Sequence, residues 1–377
     1  MEELKGMAVS SNRTIIFLWD NFGPTHSDRI EAVTRAFSGD TRCIGVEERS
    51  RSDTYDWMPE KRDGFEKVTL FGPAWPGTIR MLIALIKQDI KLGKAAWFLC
   101  NYNRLHIFLF AVWLRLRMRK VFLMADSKYD DFPRFLFREL GKSVALMPYM
   151  GALACGTRSQ SYMRFLLGKN KPVVAEYDTL NIERIRALSG AEPAPEGMPF
   201  TTREWIIVAR LVEKKNLFFA LDAYAIYSRL SLNPRRLRIC GSGPLDTGLK
   251  DHAERLDIAH KVDFLGFVQT DVVSSLLARS IALILPSTEE QFGLVTIEAQ
   301  AMGLPVLISD VCGARDHLVR NWVNGFVFEP DNAEGLAQFM ALMDKDEALW
   351  RRLCEGAQLS ASKGDISKFV EAVAKIM

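Results

Sequence analysis

Glu290 and Glu298 stand eight residues apart, one before and one inside a segment that reads as a helix from Phe292-Gly293-Leu294 to Met302. An apolar run, Ile281 to Leu285, precedes them and reads as a buried strand. Gly303 and Pro305 stop the helix. Glu290 then lies in the loop, and Glu298 about one and a half turns in, so both can face one ligand from different depths. Carboxylates accept hydrogen bonds from hydroxyl groups, which suits a sugar. A helix start offers N–H groups and partial positive charge, which suits phosphate. The plain alternative is one capping acid and one solvated glutamate.

A pair of cations forms a second constellation. Trp205 to Ala209 reads as a strand and a helix follows Asn216, with Arg210 and Lys215 five apart around the loop between. Beside a helix N-terminus, such a pair can converge on one diphosphate. Strand Leu237 to Cys240 leads into Gly241-Ser242-Gly243-Pro244-Leu245, which lacks the full dinucleotide fingerprint and its helix. Earlier in the chain, strand Thr14 to Trp19 runs into a loop holding Gly23, where an α/β sheet opens its ligand crevice. Strand Val121 to Ala125 ends at Asp126. That acid can accept a bond from a hydroxyl in the cleft, or cap the next helix.

The run from Glu290 to Glu298, followed by A-x-A-x-G-x-P, resembles the signature of retaining family-4 (group 1) glycosyltransferases of the GT-B fold. The likeness continues through GLPVLISDVCGARDHLV and NGFVFEPDN. It implies two facing Rossmann-like α/β domains, each with a mostly parallel sheet. The expected units are an acceptor-side domain (1–190), a Pro- and Gly-rich linker (191–202), a donor domain (203–360) and a last helix (361–377) that packs back on the first.

The implied activity moves a sugar, with retention, from a nucleoside-diphosphate sugar to a glycan or lipid-linked acceptor in polysaccharide or glycoconjugate biosynthesis. No metal or other cofactor is implied, and UDP-sugar is slightly favoured over GDP-sugar. In that scheme Arg210 and Lys215 neutralise the leaving diphosphate. Glu290 and the backbone of Phe292, Gly293 and Leu294 hold the donor sugar, and Glu298 holds the ribose. Gly243 and Gly23 let backbone approach the donor, and Val268 lies at the nucleobase edge. The family often has a His where this chain has Asp126, and a Gly-Gly loop where it has Gly23 alone among bulky neighbours.

The whole chain suits this frame. Its 377 residues are enough for two domains, and 48% hydrophobic with 25% charged residues is globular composition. Six cysteines without a CxxC spacing read as reduced residues of a cytoplasmic protein. The first residues lack a signal peptide's apolar region, and runs such as Ile107 to Leu114 are too short to span a bilayer. Residues 1–190 carry 29 Lys and Arg against 21 Asp and Glu, whereas residues 191–377 carry 20 against 25. Lys87, Lys91, Lys94, Arg115, Arg117 and Arg119 flank an aromatic helix, so peripheral contact with an inner membrane face stands beside ordinary solvated helix faces.

The polar stretch Glu47 to Glu66, with Tyr55, Trp57 and Phe65, reads as an acceptor insert or a structural cover. His106, His252, His260 and His317 carry no motif, and nothing points to nucleic acid. A GT-B epimerase or hydrolase and a non-catalytic sugar-nucleotide-binding subunit are the other readings. A nicotinamide oxidoreductase is disfavoured by the missing fingerprint after Trp19 and at Gly241.

Overall fold

The computed structural model describes residues 13–39, 41–51 and 64–377. Most of the polar stretch read as an insert, including Tyr55 and Trp57, lies outside the described residues, as do residues 1–12. In chain order the first half runs β1 (Arg13–Trp19), α1 (Pro24–Ala36), β2 (Thr41–Arg49), β3 (Glu66–Phe71), α2 (Thr78–Leu92), β4 (Ala96–Leu99), α3 (Leu105–Leu116), β5 (Lys120–Ala125), α4 (Leu136–Ala145), β6 (Ala152–Ala154), α5 (Gly156–Leu167), β7 (Val173–Val174) and α6 (Ile182–Ser189). The second half runs β8 (Glu204–Val208), α7 (Leu217–Leu230), β9 (Leu237–Cys240), α8 (Asp246–Arg255), β10 (Val262–Gly266), α9 (Thr270–Ala278), β11 (Ser280–Leu285), α10 (Val295–Ala301), β12 (Val306–Ser309), α11 (Arg315–Leu318) and β13 (Gly325–Phe328). Helices α12 (Ala333–Lys345), α13 (Glu347–Ala361) and α14 (Ile366–Ile376) follow.

Among the described residues the strands form two sheets, ordered β3-β2-β1-β4-β5-β6-β7 and β10-β9-β8-β11-β12-β13. Every strand pairing is parallel. Helices cover both faces of such sheets, so the strands read as unbroken apolar runs rather than alternating ones. Ile15 to Leu18 and Ile281 to Leu285 are accordingly buried throughout. Each sheet reverses its strand order once, at β1/β4 and at β8/β11, and ligands of α/β sheets settle at the carboxyl ends beside such points.

One helix boundary differs from the sequence reading. α10 begins at Val295 and not at Gly293, because Gly293 has φ +102°, outside helical geometry. α1 begins at Pro24, where proline's missing N–H costs nothing. The edge strand β7 is short, spanning Val173–Val174 alone.

The segment 191–202 is mostly exposed but is anchored at Ala194 and Phe200, which are buried. Ala194 is buried, its N–H donates to the Met302 carbonyl at 2.9 Å, and its carbonyl accepts from Gln358 Nε2 at 2.6 Å. A Cβ on Gly303 would stand 2.1 Å from that same carbonyl, so Gly303 both stops a helix and seats the connection.

α14 returns to the first half. Phe369 packs on Phe17 at 5.7 Å and Tyr177 at 6.4 Å, and one continuous core includes side chains of both sheets. The arginines of the expected basic patch are partly committed elsewhere. Asp89 is fully buried, and Arg117 and Arg119 each pair with it at 3.0 Å. Their first role is therefore to neutralise a buried acid. All six cysteines are free, and five are buried. No helix among the described residues is long and apolar enough to cross a membrane.

Candidate active site between the two sheets

The carboxyl ends of the sheets approach each other. Gly156 opens α5 with φ +70°, and a Cβ there would stand 3.1 Å from the Phe292 ring of the other half. Phe292 is thus buried at the junction, leaving its backbone and those of Gly293 and Leu294 as the parts of that turn that can meet a ligand. Arg158 of α5 donates to the Asp310 carbonyl at 2.7 Å and pairs with Asp316.

In the second half, the loop after β8 carries Arg210, which is exposed, and Lys215, which is half-buried. The Gly241-Ser242-Gly243 turn lies against this loop. Leu211 N–H donates to the Ser242 carbonyl at 2.9 Å, and a Cβ on Gly243 would stand 2.4 Å from the Leu211 carbonyl. Gly241 has φ +142° and sits closer still to Ala209. The two glycines therefore let one backbone lie on the other, and the contact fixes the residues on either side of Arg210.

The loop after β11 meets the same place. Lys215 Nζ pairs with Glu290 Oε2, both side chains being 13% exposed. Ser287 donates to that carboxylate at 3.3 Å. Beside this pair, Lys214 reaches Glu289 at 3.1 Å, and its carbonyl accepts from Thr288 N–H at 2.9 Å. The cation and the acid that the sequence singled out 75 residues apart are thus direct partners. Glu298 lies one loop further on, inside α10. Burial pushes its carboxyl up to about 7, against the pull of Arg184 from α6. Val268, after β10, is half-buried against the shared core.

In the first half, Asp126 keeps an exposed face at the end of β5 while both halves crowd around it. Burial, then the charges of Asp178 and Asp131, raise it to about 6, and Lys214 opposes the shift from across the cleft. Arg29 holds Asp178 at 3.0 Å. Gly23 precedes α1, and its N–H faces His26 Nδ1 at 3.3 Å. Burial and the charge of Arg29 push His26 down to about 3, so its ring is neutral near pH 7 and Nδ1 can accept that bond.

Four residues in or near this region were not singled out by spacing. Lys214 was masked by its neighbour Lys215. Arg158 finds its partners in the other half, which no local pattern signals. His106 lies 2.7 Å from Glu48, and both are buried. Among the described residues, no group of three or more His, Cys, Asp and Glu side chains is placed to hold a metal ion.

Comparison with known proteins agrees with this architecture. Residues 191–359 match the family of glycosyl transferases group 1. A poly(glycerol-phosphate) alpha-glucosyltransferase of Bacillus subtilis is 29% identical over 180 residues, 48% of this chain and 26% of that protein. The matches to the first curated relatives span about a third or less of those proteins, from 22% to 33%. Sucrose-phosphate synthase of Thermosynechococcus elongatus superposes with a TM-score of 0.74 at 15% identity, over 97% of this chain and 98% of that one. HepE of Anabaena, solved with UDP and glucose, gives a TM-score of 0.73 at 15% identity, over 96% and 98% of the two chains. The two facing parallel sheets are those of the GT-B fold. Residues 191–359, which hold Arg210, Lys215, Glu290 and Glu298, are thus similar to the group 1 glycosyltransferases.

Proposed function

We propose that the chain transfers a sugar from a nucleoside-diphosphate sugar to a hydroxyl of a glycan or lipid-linked acceptor, with retention of the anomeric configuration and without a metal. The pairing of Lys215 with Glu290 carries the reading. A cation suited to phosphate stands against a carboxylate able to accept from sugar hydroxyls, in a half that matches the family, and this supports the reading. Glu298, held within α10, accepts from the ribose hydroxyls.

In this scheme the bond from the anomeric carbon to the diphosphate oxygen breaks, and its electron pair stays with the diphosphate. Arg210 and Lys215 stabilise the charge that develops there, which is where electrostatic catalysis is strongest. The acceptor oxygen bonds to the same face, and its proton passes to the leaving phosphate. Asp126 accepts a hydrogen bond from the acceptor and orients it. A structural neighbour binds UDP, which makes uridine the first base to test.

The acceptor side favours a membrane surface. α4 and its flanks expose Phe135, Leu136, Phe137, Leu140, Val144 and Met147, with Phe137 85% exposed. Arg138 and Lys142 lie on the same helix. An apolar stripe with basic neighbours suits the interface of an anionic bilayer.

The test is melting temperature against UDP, GDP and their sugars in the presence of a chelator, since a ligand bound only by the native state raises it. A shift with one base, followed by hydrolysis of its sugar donor with the anomer read by NMR, is the expected result. No shift with any of them sinks the reading.

A further inference from the structure

The first half holds a second polar constellation that the transfer scheme does not use. It lies at the carboxyl ends of β1, β2 and β4, beside the β1/β4 reversal of strand order. A cavity of about 390 Å³ opens there, with Arg49, Trp75, Thr78, Arg104 and His106 on its walls. Arg104 stands immediately before α3, and its Nη1 donates to Asp20 at 3.0 Å and to Glu48 at 2.7 Å. Glu48 is itself 1% exposed and lies 2.7 Å from His106 Nε2.

Both acids therefore grip one nitrogen of the guanidinium and fix its plane. Nη2 and Nε of Arg104 have no hydrogen-bond partner among the described residues, and the side chain is 34% exposed. Those two donors form the edge that matches two oxygens of a carboxylate or phosphate. Arg49 sits over the Trp75 ring at 5.9 Å, and Trp75 is 44% exposed. A half-exposed indole beside directed donors offers an apolar face to the C–H side of a sugar ring.

We propose that this cavity binds an oxyanion, a carboxylate or a phosphate, carried on a sugar or polyol unit of the acceptor. The assignment rests on the reading of the first half as the acceptor side. The two cations on the wall are offset by Asp20 and Glu48, so selectivity comes from the oriented edge of Arg104 rather than from net charge. Glu48 and His106 act beneath it as positioning residues.

The full chain and its Arg104→Gln and Trp75→Ala variants are titrated calorimetrically with glucuronate, glycerol 1-phosphate and glucose. The UDP-induced melting shift is recorded on each. We expect one oxyanion probe to bind at least tenfold more tightly than glucose, and the preferred probe tells carboxylate from phosphate. Arg104→Gln is expected to weaken that probe at least tenfold. Trp75→Ala, at a surface position, is expected to weaken glucuronate severalfold, and neither variant to change the response to UDP. Glucose binding as tightly as both oxyanions, or no probe binding at all, overturns the proposal. So does full affinity in Arg104→Gln. Oxyanion binding by a chain that ignores UDP supports the cavity and counts against the donor reading alone.

Discussion

Arg158 and Asp316 form an ion pair between the two halves of the molecule, from α5 to α11. Arg158 is held on three sides, since it also meets Asp130 at 2.8 Å and the Asp310 carbonyl at 2.7 Å. Hydrogen bonds to charged groups contribute about 1.5–3 kcal/mol each when not fully exposed. Arg158→Ala is expected to lower the melting temperature and to raise the radius of gyration in the absence of ligand. Small-angle scattering with and without UDP checks this. An unchanged radius means that the apolar contacts around Phe292 and under α14 hold the halves together without this ion pair.

Lys215 and Glu290 are expected to fail in different ways. On the proposed reading Lys215→Ala removes a phosphate partner, so UDP affinity should fall at least tenfold. Glu290→Gln keeps shape and loses charge, so UDP binding should change little while kcat drops about 10²–10³-fold, the usual effect of losing a directed transition-state contact. Lys215→Ala also leaves Glu290 without its cation, and the double variant should recover part of the lost stability. Calorimetry with UDP, donor turnover and melting curves on all three separate these effects. Equal loss of UDP binding in both single variants would contradict the division of roles.

Glu298 makes the pH dependence specific. Its folded carboxyl is raised from 4.5 to about 7 by burial, so between those values the native state holds a proton that the unfolded chain has released. Stability from this group is therefore present below about pH 4.5 and is lost as pH rises toward 7. Glu298→Gln should melt progressively higher than the unaltered chain across that window and should not differ below it. On the proposed reading Glu298 accepts from ribose hydroxyls, more strongly when ionised, so UDP affinity should rise with pH in the unaltered chain and stay flat in the variant. Melting curves and titrations from pH 4 to 8 decide both points.

The apolar face of α4 can be tested apart from the donor site. Phe137→Ser with Leu140→Ser should abolish most co-sedimentation with phosphatidylglycerol vesicles while leaving the response to UDP intact. Vesicle binding that survives this double change, or that never occurs, removes α4 from the account.

The fold was legible where parallel strands impose unbroken apolar runs, as at Ile281 to Leu285 and Trp205 to Val208. The placement of Arg210, Lys215 and Glu290 ahead of helices, and of Glu298 within one, was legible because each spacing is set by one strand-loop-helix unit. Contacts between units were not. The partner of Arg158 lies in another half, and the burial of Asp89 under Arg117 and Arg119 depends on how α2 meets α3. The outward turn of Phe135 to Phe137 was hidden because an exposed apolar helix has the same periodicity as a buried one. Gly241 and Gly243 stood out by type, but their contact with the Arg210 loop needs two adjacent strands in register.

The seat of Phe369 on Phe17 sets an order of assembly. The apolar face that β1 and β4 present through Phe17 and Phe98 is closed in part by α14, which follows the entire second half along the chain. A nascent chain that has released only its first 190 residues therefore carries uncovered aromatic rings. Such surfaces are what chaperones and aggregating neighbours recognise. The first half should thus be the poorer candidate for separate expression, and the two halves should mature together rather than in succession.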